Sequence, residues 1–82
     1  MTAEELMQIV EMANNGAAAL TTSSVVLGKT SAELKAAYDD GMLIDEPEKF
    51  YKLVHNFTVA LTATTAAIER LVTAAEKLSD ED

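Results

Sequence analysis

Few residues in this chain have types and spacing that could do chemistry. Gly28-Lys29-Thr30 matches the end of a phosphate-binding loop, where backbone amides and a lysine cradle phosphate oxygens. The complete pattern needs a glycine five residues earlier, where Ser23 stands, and a strand leading in. A helix kink with Thr30 as a cap explains the triplet better. His55 is the only histidine, the residue type best suited to proton transfer near neutral pH. No carboxylate lies three or four residues from it and the chain has no cysteine, so neither a zinc set nor a Ser-His-Asp arrangement is legible. Asp39, Asp40, Asp45, Glu46 and Glu48 crowd into ten residues without the alternation of a calcium-binding loop. Asp45 with Lys49 and Glu48 with Lys52 are spaced as i,i+4 ion pairs. Asn56-Phe57-Thr58 fits a glycosylation sequon but falls inside a helical pattern. No catalytic residue, cofactor site or metal ligand is assigned, and the chain is not expected to be an enzyme.

What positions these residues is simple. Thr2-Ala3-Glu4-Glu5 is a capping box that starts a helix. Leu6, Val10, Ala13, Ala17, Leu20, Ser24, Leu27, Ser31, Leu34 and Tyr38 then alternate by four and three, a heptad seam. The seam keeps phase through Gly28, so one long helix over about 3–40 is expected, kinked or broken near 28–30 if anywhere. Gly41 suits the left-handed position that ends a helix. Asp45 is a candidate N-cap and Pro47 fits a first turn. A second helix over about 46–79 carries Phe50, Val54, Phe57, Leu61, Thr64, Ile68, Leu71, Ala75 and Leu78 at the same alternation. The expected fold is all-α: residues 1–82 as a single antiparallel two-helix hairpin with coiled-coil-like packing, a rod on the order of 50 Å long. Folding about residue 43 would lay Leu20 near Ala66, Ser24 near Thr62 and Ala13 near Thr73.

Fourteen acidic against six basic residues give a net charge of −8. Direct nucleic-acid binding is disfavoured, because phosphate contacts need lysine and arginine. The acidic N-terminus is unlike a secretory leader, so the expected location is the cytoplasm or an assembled particle.

The charge is unevenly spread. Met12 to Gly28 carry no formal charge, and between Leu53 and Ile68 only His55 can titrate. In a hairpin the two stretches lie side by side and form an uncharged waist between acidic ends. Both are too short and too polar for a membrane span of about 20 apolar residues, and their flanks lack basic or tryptophan anchors. Away from the seams the waist still shows Met12, Ala18, Ala19, Val25 and Val26 on the first helix and Val59, Ala63 and Ala66 on the second. A helix apolar all round is normally covered all round, which two helices cannot do for each other. These eight residues are therefore the expected protein interface, filled by copies of the chain or by another helical protein, with oligomerisation completing the core. Thr58, Thr62, Thr64, Thr65 and Thr73 fit a helix whose composition is set by packing rather than by propensity.

In architecture alone, the hairpin resembles the small helical subunits of secretion needles, the Trp-x-Gly-type secreted hairpins and small phage virion components. The chain has no tryptophan and hence no Trp-x-Gly turn, and no family is assigned. The expected function is that of a structural or assembly protein. The alternative is an acidic inhibitor or adaptor whose tip (Asp39, Asp40, Asp45, Glu46 and Glu48) docks a basic surface such as a nucleic-acid-binding site.

Overall fold

A computed structural model describes residues 1–80. Helix α1 runs Ala3–Asp39, a single turn α2 runs Met42–Asp45, and α3 runs Pro47–Ser79. The Glu5 backbone N–H donates to Thr2 Oγ1 at 3.1 Å, as the capping box requires. Helix α1 is continuous through Gly28. Thr30 caps nothing there: its hydroxyl donates to the Val26 carbonyl one turn back, at 3.0 Å.

The turn is tight. Gly41 has φ 80°, a left-handed conformation that a side chain would strain. Its N–H donates to the Tyr38 carbonyl and its own carbonyl accepts from the Ile44 and Asp45 N–H groups. Asp45 is therefore the end of α2 and not the cap of α3. Glu46 occupies that capping position without a side-chain bond, and Pro47 enters the first turn as expected. Lys49 Nζ donates to Glu46 Oε1 at 3.1 Å rather than pairing with Asp45.

The two long helices lie antiparallel in a rod of 60 × 17 × 16 Å. Its radius of gyration is 18.0 Å, against about 12 Å for a compact domain of this length. Gly16 fixes the register: a Cβ placed there would sit 3.1 Å from Leu71 Cγ, 3.2 Å from Arg70 Cβ and 3.3 Å from the Ala67 carbonyl oxygen.

The seam differs from the expected one in a regular way. Leu20, Leu27, Leu34, Phe50, Phe57, Thr64 and Leu71 face inward as expected. The alternate positions are taken by the preceding residue in each case: Ile9, Gly16 and Ala37 in α1, and Ala60, Ala67 and Ala74 in α3, all buried. Leu6, Val10, Tyr38, Leu61, Ile68 and Leu78, placed in the seam by sequence, are 42–63% exposed. With 100° per residue, each helix is turned by about 50° from the orientation that would bury the larger side chains. The small residues win the seam because they let the two backbones approach closely.

Candidate interaction surface

The consequence of a small-residue seam is a thin core. Among the described residues, Ile9 is the only large aliphatic side chain that is buried, and the other buried residues are alanine, glycine and Thr64. Fifteen large apolar side chains are exposed. The accessible surface is 5971 Å², about 1,200 Å² more than a compact monomer of 8.8 kDa presents.

On one flank the helices leave an open groove of about 850 Å³. Ala18, Ala19, Thr22 and Val26 of α1 and His55, Asn56, Val59 and Ala63 of α3 line it, with Ser23, Thr30 and Ala60 at its floor. A second trough continues along the same flank toward the open end of the hairpin, past Met12 and Ala66 between Glu11, Glu69 and Arg70. Five of the eight interface residues expected from sequence thus share one groove, and Met12 and Ala66 share the next. Val25 lines neither; it points away, 69% exposed.

The opposite flank is not legible as a surface in the sequence, because Val10, Leu61 and Ile68 fall in the expected seam. The groove brings Ala19 and Val26 of α1 beside Asn56 and Ala63 of α3. Positions on the far side of each seam must then share the other flank. These include Val10, Leu61, Ile68 and Val72, 45–49% exposed, a row of aliphatic side chains that marks this as the ridge flank. Exposure above 40% for a row of aliphatic side chains needs coordinates, whereas the near-absence of charge along these rows is readable in the sequence once the inward face is known.

The hydroxyls of the waist make its surface less polar than its composition. Thr21, Thr22, Ser23, Ser24, Thr58, Thr62 and Thr64 each donate to a carbonyl of the preceding turn. The donor is used internally, and each threonine can turn its methyl group outward. Covering such a residue costs little, since no donor is left unpaired.

At the loop end, Asp39 is paired with Lys35 at 2.9 Å and Glu46 with Lys49. Asp40, Asp45 and Glu48 are exposed beside Ile44, which is 86% exposed. Of the acids expected at the open end, Glu81 and Asp82 lie outside the described residues. Among the described residues no group of three His, Asp or Glu side chains could hold a metal ion. No described helix is long and apolar enough to cross a membrane. Comparison with protein-family models, curated proteins and solved structures finds no match to this chain.

Proposed function

We propose that this chain is a non-enzymatic assembly subunit, a helical hairpin that works by covering its uncharged surface with helices of other chains, either copies of itself or another helical protein. The observation that carries this is the surface excess of about 1,200 Å² together with fifteen large apolar side chains left exposed among the described residues. A standard interface removes about 800 Å² from each partner, about two thirds of this excess. The groove's one titratable group is His55, with no carboxylate lining it to complete an acid–base pair. A place in a virion, a secretion apparatus or a cytoplasmic complex goes with this role.

The test is mass in solution, by light scattering and sedimentation over a wide concentration range. The wild type is expected to exceed the 8.8 kDa of one chain. Ala63→Glu and Ile68→Glu combined, one on each flank, should reduce it to a monomer with its helices still formed. A wild type that stays monomeric, with a double variant that matches it both in thermal stability and in the proteins it binds, would overturn the proposal.

A second role, docking of the acidic tip on a basic partner, draws support from Ile44 exposed among Asp40, Asp45 and Glu48. Replacing Asp39, Asp40 and Asp45 by asparagine should then weaken binding to a basic partner and flatten its salt dependence together.

A further inference from the structure

We infer that the partner on the ridge flank is a second copy of this chain, packed antiparallel so that two hairpins close into a four-helix bundle. This rests on the assembly role proposed above and specifies its surface, its occupant and its orientation.

The surface is specified by charge. The heptad rows that face the ridge flank run Val10, Ala17, Ser24, Ser31, Tyr38 and Met7, Asn14, Thr21, Gly28, Lys35 on α1. On α3 they run Val54, Leu61, Ile68, Ala75 and Tyr51, Thr58, Thr65, Val72, Ser79. Lys35 is the only charged residue among them, and its ammonium is already paired with Asp39. Every other outward-facing row of both helices contains charged residues, including those of the groove flank at Glu5, Glu33, Arg70 and Lys77. The uncharged waist is thus the middle of a face whose one charge along the rod is Lys35, near the loop. Charge is depleted in this way from surfaces that become interface cores.

The occupant follows from length and area. A face 60 Å long and 16–17 Å across has the footprint of a standard interface of about 800 Å² per partner. An element of the same length with the same uncharged face covers it from end to end, and the chain itself is such an element. Two-fold pairing of one patch with its own copy is the commonest way for a single chain to do this.

The orientation follows from the unequal ends. Among the described residues, the half of the hairpin nearer the termini (1–24 and 62–80) carries six acids and two bases, and the half nearer the loop carries six acids and four bases. Antiparallel pairing sets each more acidic half beside the partner's less acidic one. Parallel pairing would stack the two most acidic ends together, a like-charge juxtaposition that interfaces avoid.

The experiment combines two flank variants with one label. Sedimentation of the wild type should give twice the 8.8 kDa chain mass. Ile68→Glu, or Val72→Lys as a second disruption, should weaken pairing at least a hundredfold, while Val59→Glu on the groove flank should leave it within a few-fold. Because the chain has no cysteine, Glu76→Cys gives a single spin-label site near the end of α3, on a heptad row outside the uncharged face. The distance between labels in the dimer should approach the 60 Å rod length, whereas parallel pairing would place them within about two rod widths of 17 Å. A short distance overturns the antiparallel bundle. A dimer lost with Val59→Glu but kept with Ile68→Glu and Val72→Lys overturns the ridge-flank surface and leaves the assembly role standing. A wild type that is monomeric throughout overturns the second copy as occupant, and only a double-flank variant with unchanged stability and no lost partner also removes the assembly role.

Discussion

Gly16 and Gly28 look alike in the sequence, each a helix-weakening residue of an uncharged stretch. Their surroundings differ completely. Nothing lies within 4 Å of a Cβ built on Gly28, whereas Gly16 faces the opposite backbone through the Ala67 carbonyl oxygen at 3.3 Å. Gly28→Ala should therefore stabilise the protein by up to about 1 kcal/mol, the helix-propensity gain. At Gly16 the same gain is opposed by overpacking worth about 1–3 kcal/mol, and a carbonyl held in a helix cannot swing aside as a side-chain tip can. Gly16→Ala should lower the denaturation midpoint while Gly28→Ala raises it. If both raise it, the helices have room to separate and the close approach is not what holds the register. Thr2→Ala removes the acceptor for the Glu5 N–H and should cost about 1 kcal/mol, measured in the same way. That cap was legible because it is made entirely by neighbours in sequence. The close approach at Gly16 was not, because its other half lies about fifty residues away.

At the scale of the elements, helices, turn and antiparallel order followed from local signals: the heptad spacing, the cap, Gly41 and Pro47. The face each helix turns inward did not. Two heptad stripes overlap in each helix, sharing positions such as Leu20 and Leu71 and differing in whether the alternate member is large or small. Side-chain size favours the stripe with Leu61 and Ile68, and the structure buries the one with Ala60 and Ala67. A pair of alanine variants separates the two. Ala67, 1% exposed, should not tolerate leucine, with a loss of about 1–3 kcal/mol. Ala75, exposed in the single hairpin although the other stripe would bury it, should accept leucine with little change when measured on the monomer. Chemical denaturation of both variants decides; a well-tolerated leucine at 67 with a damaging one at 75 would mean the helices are turned the other way.

For the whole molecule, the balance is between uncovered apolar surface, which favours association, and a net charge of −8 on each copy, which opposes it. The charges sit off the uncharged flank, so repulsion acts across solvent and is open to screening. Raising the ionic strength from about 0.01 M to about 0.15 M shortens the Debye length from about 30 Å to about 8 Å. Self-association should strengthen over that range, as sedimentation equilibrium can measure. Weakening with salt would instead point to a contact held by opposite charges, in favour of the acidic tip over the uncharged flank.

By itself the sequence determined what neighbours along the chain can settle: where the helices start and stop, that they fold back at Gly41, and that the middle of the rod carries no charge. Periodicity, capping and turn chemistry are local, and local rules suffice for these. Only the tertiary structure decided which of two equally periodic stripes goes inside, since that depends on how near the helix axes come. Axes close enough for Gly16 to meet Ala67 must be lined by small residues, and burying small residues leaves the large ones outside. That exchange, decided across the helix pair, creates the uncharged aliphatic ridge and turns a waist legible in the sequence into one flank of a rod.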